Sequence, residues 1–153
     1  MDNGIYEYIL SRVGEDLKPY GYKRSGKGTL FYCYSADRKV GCAIEMQKSM
    51  FNTPKSHSFT FNFVCVALYD LPNYSKEKLT LEAIKIALAN PYIGGERIGI
   101  LCRGTDYWWE ITGEKPKKLK IEKYYNRFIH NDIVNTACYL KEVAEKKEQI
   151  YKQ

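Results

Sequence analysis

The stretch that decides the fold is "SFTFNFVCVALYD", residues 58–70, in which a phenylalanine occupies every second position at the start. Thr60 and Asn62 lie between these aromatic residues. Successive side chains of a β-strand point to opposite faces, so this alternation predicts a strand with one buried face and one more polar face. The buried face is predicted to carry Phe59, Phe61, Phe63 and Cys65.

Two further strand candidates precede it, "GTLFYCYS" (28–35) and "KVGCAIEMQKS" (39–49), joined by the short polar segment "ADR". We expect a hairpin with Cys33 opposite Val40. One face then carries Phe31, Cys33, Val40, Cys42, Ile44 and Met46, and the other carries Tyr32, Tyr34, Glu45 and Gln47. This pattern is typical of an antiparallel sheet with one face buried.

Helical patterns flank the strands. Residues 4–18 place apolar side chains at helical spacing, and residues 79–90 and the chain from residue 114 onward do the same. Two more strands are predicted at 97–103 and 106–112, with Gly104-Thr105 as their turn. The order predicts a single α+β domain over residues 1–153, with an antiparallel sheet of about five strands and helices packed on one face.

The last predicted hairpin separates the two adjacent tryptophans of "GILCRGTDYWWEITG" (99–113). A turn at Gly104-Thr105 sets Arg103 opposite Asp106. Trp109 then shares the core face with isoleucines of both strands, whereas Trp108 shares the outer face with Arg103 and Asp106. Such an aromatic side chain among charges could stack on a ligand or anchor a protein partner. The alternative is that Trp108 packs under the loop at 50–57 or against a C-terminal helix.

A second polar set is predicted on the outer side of the sheet, where Glu45, Gln47 and Asn62 point away from the core. It forms either a hydrogen-bonded groove or a plain solvent-facing surface. The predicted binding surface consists of Gln47, Lys48, Asn62, Arg103, Asp106 and Trp108.

Three motifs in order carry a family resemblance: "LKPYGYKRSGKGTLFY", then "IEMQKS" with "SFTFNF", then "RIGILCRGTDYWWEI". Over about residues 10–112 the chain resembles domain-of-unknown-function family 4304. The positions that the resemblance places on motifs are Gln47, Lys48, Asn62, Arg97, Asp106 and Trp108. The family name implies no known activity, but relatives of this general sort are often small bacterial cytoplasmic proteins, some of them suspected immunity proteins that neutralise toxins. The resemblance therefore favours a non-catalytic protein-binding role, by analogy.

The rival interpretation is nucleic-acid binding. The chain has a net charge of +6, and "EKPKKLKIEKYYNR" (114–127) places lysines and Arg127 beside Tyr124 and Tyr125. Segment 115–127 could grip phosphates and stack bases. A solvated helix entry explains the same charges.

No catalytic or metal motif emerges from the sequence. His57 and His130 are isolated from any ligand spacing, and Asp106 and Glu110, four residues apart on a strand, would be about 13 Å apart, too far for a glycosidase pair. We therefore expect no catalytic residue, no metal and no cofactor.

The expected compartment is the cytoplasm. The five cysteines form an odd set without a CxxC pair, which favours free thiols used as small buried side chains. No apolar run approaches the roughly 20 residues of a membrane span, and the acidic N-terminus is unlike a signal peptide.

Overall fold

The structure is a computed structural model that describes residues 4–72 and 78–152. Its α-helices are α1 (Ile5–Leu17), α2 (Leu81–Leu88), α3 (Ile98–Arg103), α4 (Lys118–Tyr124) and α5 (His130–Tyr151), and its strands are β1 (Lys23–Arg24), β2 (Leu30–Tyr34), β3 (Val40–Lys48), β4 (Ser56–Ala67), β5 (Glu96–Arg97) and β6 (Trp109–Thr112). A π-helical turn at Tyr125–Ile129 joins α4 to α5. Within the described ranges, no helix has both the length and the apolar character that crossing a membrane requires.

The strands form one antiparallel sheet in the order β1-β2-β3-β4, and both β5 and β6 pair with the free edge of β4. β6 pairs with the start of β4, where Phe59 lies opposite Trp109. β5 pairs further along, where Asn62 lies opposite Arg97. The α+β class and the antiparallel sheet are confirmed.

The hairpin of β2 and β3 differs in register from the prediction. Cys33 lies opposite Cys42, not Val40, because the centre of the turn lies one residue later in the chain, with the Ser35 amide donating to the Val40 carbonyl at 2.8 Å. The shift is two residues. A shift by an even number keeps each side chain on its face, so the predicted faces are correct.

The first face of the sheet carries the larger core. Its phenylalanines and Trp109 pack against α1, α3, α4 and α5, which contribute residues such as Ile9, Ile98, Ile121 and Ile133, all buried.

The second face is covered in part by α2, which corrects the expectation that helices pack on one face only. Ile84 and Leu88 of α2 lie over Ala43 and Val64 in a second buried cluster. Gly41 makes the close approach possible, because a Cβ atom there would lie 2.8 Å from Cδ1 of Ile84. Helix α2 leaves the C-terminal end of β3 and the N-terminal part of β4 uncovered. The polar side chains of the second face lie there.

The predicted strand at 97–103 is wrong. Only Glu96–Arg97 pairs with the sheet, and Ile98–Arg103 is helical. Gly104, with φ of 74°, ends that helix in the left-handed conformation instead of turning a hairpin. The apolar residues of 98–102 fit either period over so short a segment, and Ile100, one of the isoleucines predicted to share the core face with Trp109, is 41% exposed.

Candidate functional site

Arg97 lies at the centre of the candidate site. Its Nη1 donates to Oδ2 of Asp106 at 2.7 Å, and its guanidinium carbon lies 4.9 Å from the ring centroid of Trp108. Strand β5 is only two residues long, but its pairing with β4 sets Arg97 directly opposite Asn62. The ion pair and the stacking together hold the guanidinium at the sheet edge.

A carboxamide pair continues the site across the sheet. Nδ2 of Asn62 donates to Oε1 of Gln47 at 2.9 Å. Glu45 lies directly opposite Asn62 in the ladder, and Gln47 is two residues further along the same strand, so all three share the second face. The hydrogen-bonded groove is thus the alternative that the structure favours over a plain solvent-facing surface.

These residues line a cleft of about 650 Å³ between the sheet, the end of α2 and the segment that leads to β5. Its polar and charged lining side chains are Thr29, Glu45, Gln47, Asn62, Lys85, Glu96 and Arg97. Burial raises the pKa of the half-buried Glu45 carboxyl, and the positive charge of Lys85 acts in the opposite direction.

Trp108 lines a neighbouring hollow of about 520 Å³ together with Lys48, Met50 and Phe51. Gln47 lines both the cleft and the hollow, so the two are contiguous. Trp108 is half-buried, and Arg97 lies over its ring. It therefore shares an open hollow with Met50 and Phe51 of the loop at 50–57, the loop under which the alternative interpretation expected it to pack.

Two exposed apolar side chains border this hollow that sequence reasoning did not assign to the site. Met50 is 86% exposed and Phe51 is 83% exposed. The signal for them is an apolar pair inside the otherwise polar loop "SMFNTPKSH" (49–57). We call the side chains of Met50, Phe51 and Trp108 the apolar patch; Arg97 lies at its border, over the Trp108 ring.

Of the predicted binding residues, the structure brings together Gln47, Asn62, Asp106 and Trp108, and Lys48 lies at their border. Lys48 follows Gln47 in β3, so its side chain points to the opposite face of the sheet, and its Nζ lies 4.5 Å from the ring centroid of Tyr6 in α1.

Arg103 does not belong to the site, and its predicted pairing with Asp106 is wrong. Helix α3 directs Arg103 toward the helical layer, where Nε and Nη2 donate to Oδ2 of Asp132 at 3.0 and 2.8 Å. Its guanidinium lies 4.2 Å from the ring centroid of Tyr107. Asp106 pairs instead with Arg97, a position that only the family resemblance had indicated.

The tyrosines of segment 115–127 are structural. Tyr125 is fully buried, and its hydroxyl donates to Oδ2 of Asp16 at 2.6 Å. Tyr124 is half-buried, and its hydroxyl accepts the Glu110 amide at 3.0 Å. The Tyr125 ring is closed to stacking on a base, and the Tyr124 ring packs against Phe128 with 4.9 Å between centroids, whereas Lys117 and its neighbouring lysines are exposed.

Both histidines have hydrogen-bond partners. His57 is buried, and its Nε2 lies 3.0 Å from the Gly113 carbonyl, to which it donates. Nδ1 of His130 lies 2.8 Å from the carboxylate of Asp16.

A family model described as "Domain of unknown function (DUF4304)" matches residues 13–138. The chain belongs to the DUF4304 family. The match covers the cleft, the apolar patch and the first turns of α5, so this DUF4304 chain shares with its family more of the C-terminal helices than the sequence motifs indicated. No curated protein and no solved structure matches it.

Proposed function

We propose that this DUF4304 protein acts by binding another protein through the apolar patch. The observation that carries the proposal is the exposure of Met50 and Phe51, at 86% and 83%, beside a half-buried tryptophan. Removing a Met or Phe side chain from water stabilises a complex by roughly 1.5–3 kcal/mol. Tryptophan and arginine are also the residues that most often dominate binding energy at protein interfaces.

The rigid placement of Arg97 and Trp108 supports the proposal. The ion pair to Asp106 and the stacking contact fix both side chains before a partner arrives. Less side-chain entropy is then lost on association, which leaves more of the contact energy as affinity. The adjoining Gln47–Asn62 pair offers polar groups at the border of the apolar contact, as interface rims do.

The net charge of +6 favours an acidic partner, because complementary charge steers association and raises the rate of encounter. Neutralisation of a toxin is the specific role that the family resemblance suggests. We propose this role for the protein, which would then bind a toxin in the cytoplasm without catalysing a reaction.

The test is site-specific photo-crosslinking in the organism that makes the protein. A crosslinking amino acid replaces Phe51 in one variant and Tyr92, which is 98% exposed, in a matched control. We expect a protein adduct from position 51 that is absent from position 92 and is lost when Trp108→Ala is added. Mass spectrometry then identifies the partner, and a toxin encoded nearby would support the immunity role.

Identical adducts from positions 51 and 92, or an adduct that survives Trp108→Ala, would contradict the proposal. The double variant Met50→Ser/Phe51→Ser provides a second measurement of binding, which it should weaken. Both side chains are exposed, so their replacement should leave the unfolding transition unchanged.

A further inference from the structure

Cysteines occupy matching positions on three adjacent strands. Cys33 of β2 lies directly opposite Cys42 of β3, and Cys42 lies directly opposite Cys65 of β4. All three thiols are free and lie on the sheet face that packs against the helices. Neither the proposed binding surface nor the family match assigns them a role.

The sheet register sets the first pair at a separation that a disulfide can span. Ser35 and Met46 donate backbone hydrogen bonds to Val40 and Thr29 on the opposing strand. Opposite residues of an antiparallel ladder alternate between hydrogen-bonded and non-hydrogen-bonded pairs. Cys33–Cys42 is two residues from the hydrogen-bonded pair Ser35–Val40, so it is also a hydrogen-bonded pair, for which Cα atoms are about 5.5 Å apart. Disulfides occur over Cα separations of about 4.4–6.8 Å.

A cavity gives small molecules access to these two thiols. It has a volume of about 240 Å³, lies between the β2–β3 hairpin and α5, and is lined by both Cys33 and Cys42. One water occupies roughly 30 Å³ in the liquid, so the cavity has room for a molecule the size of hydrogen peroxide. Cys33 is half-buried, whereas Cys42 and Cys65 are buried, so Cys33 is the more accessible thiol of the row.

The surroundings of Cys33 favour its thiolate, which is the reactive form. Interactions with the Cys42 thiol lower the pKa of Cys33 against the effect of burial, and the Tyr22 hydroxyl and the Cys42 backbone lower this pKa further. The pKa of Cys42 is raised by its contacts with the neighbouring thiols and by burial. The charged groups that line the cavity are Lys141, Glu145 and Glu148.

We propose that Cys33 and Cys42 are a peroxide-sensitive pair, with Cys33 as the attacking thiol and Cys42 as the resolving thiol. The Cys33 thiolate attacks one oxygen of hydrogen peroxide, the O–O bond breaks, and the leaving hydroxide takes up a proton to become water. The sulfur of Cys42 then attacks the resulting sulfenic acid, the S–O bond breaks, and the Cys42 proton leaves with the hydroxide as a second water. Two thiols are oxidised by two electrons, and one peroxide is reduced to two waters.

The test exposes the reduced, folded full-length protein to hydrogen peroxide, blocks the remaining thiols with an alkylating agent and maps disulfides by mass spectrometry. We expect a Cys33–Cys42 disulfide to form at least about tenfold faster than Cys102 is oxidised. Cys102 is the matched control because it is also half-buried and free, but its pKa is raised by burial. A thiol reductant should reverse the product.

Variants separate the two roles. Cys42→Ser should leave a sulfenic acid at Cys33 that a dimedone probe captures, Cys33→Ser should abolish the disulfide, and Cys102→Ser should change neither. Cys42→Ala serves if the serine variant does not fold. Equal oxidation rates at Cys33 and Cys102, or disulfide formation only in denaturant, would overturn the proposal. A Cys42–Cys65 disulfide as the sole product would overturn it as well.

Discussion

Trp108 and Trp109 are neighbours in the chain, but the protein uses their indole rings for different purposes. Trp109 is fully buried, its ring stacks on Phe59 at 6.2 Å between centroids, and its Nε1 donates to the Phe128 carbonyl at 2.9 Å. Trp108 is half-buried, with Arg97 over its ring. Alternation along an extended backbone accounts for the difference, because it sends one ring into the core and the other to the site.

The two alanine substitutions should therefore differ widely in stability. Trp109→Ala removes a large buried side chain and one of the two side-chain hydrogen bonds that the Phe128 carbonyl accepts, so we expect a loss of about 3–5 kcal/mol in the free energy of unfolding. Trp108→Ala removes a cation–π contact at a partly exposed position, so we expect a loss of about 0.5–1 kcal/mol. Urea denaturation measures both. Similar losses in the two variants would show that Trp108 belongs to the core.

The half-buried position of Glu45 should lower the stability of the folded protein at neutral pH, where the carboxyl is ionised. Burial raises the pKa of its carboxyl in the folded protein above the unfolded value of about 4.3. The folded state thus binds a proton more readily than the unfolded state, and the penalty for ionising Glu45 is fully present above the folded pKa. The penalty decreases as the pH falls through the folded pKa and vanishes below the unfolded value.

We therefore expect Glu45→Gln to unfold at higher urea concentration than the wild type at pH 7 and at the same concentration near pH 4. The pH dependence of the urea midpoint measures this. Glu96 lines the same cleft from an exposed position, so Glu96→Gln is the matched control. A stability gain that persists unchanged at pH 4 would exclude relief of the Glu45 charge as its cause.

At the scale of elements, the long strands and the terminal helices could be predicted from sequence because each repeats one period over many residues. The 12 residues of β4 show the period of two, and the 13 residues of α1 show apolar side chains at helical spacing. Helix α3 has 6 residues, too few to distinguish the two periods, and the glycine that ends it is also a signal for a hairpin turn. The error at α3 is what misplaced Arg103.

Helix α2 depends on its N-cap. The Thr80 side chain accepts the Ala83 amide at 3.1 Å, and the helix has only 8 residues to bury against the second sheet face. Thr80→Ala should lower the free energy of unfolding by about 1 kcal/mol, whereas Thr80→Ser keeps the accepting oxygen and should cost little. Thermal or urea unfolding of the two variants checks this. Equal losses would mean that the threonine methyl group, and not the cap, is what matters.

Across the whole molecule, the site is assembled from separate parts of the chain. Gln47 comes from β3, Asn62 from β4, Arg97 from β5, and Trp108 precedes β6. Sequence alternation predicted the outward direction of Gln47 and Asn62 because both lie on long strands. It could not predict that Arg97 meets Asp106, since that contact depends on a two-residue strand and on helix α3, neither of which has a periodic signal.

The distribution of charge over the molecule leads to the last prediction, which concerns nucleic acid. The aromatic rings among the exposed lysines of 115–127 are already packed within the protein, because Tyr125 is buried and the Tyr124 ring packs against Phe128. Phosphate contacts alone give weak binding that is strongest at low salt. We expect no stable complex with single-stranded RNA or DNA near 50 mM salt, measured by fluorescence anisotropy.

A complex at that salt that weakens steeply as salt rises, and that Lys117→Gln/Lys118→Gln/Lys123→Gln abolishes, would instead establish the nucleic-acid role. In that outcome, Met50→Ser/Phe51→Ser should leave the affinity unchanged, because neither side chain carries a charge that could contact a phosphate.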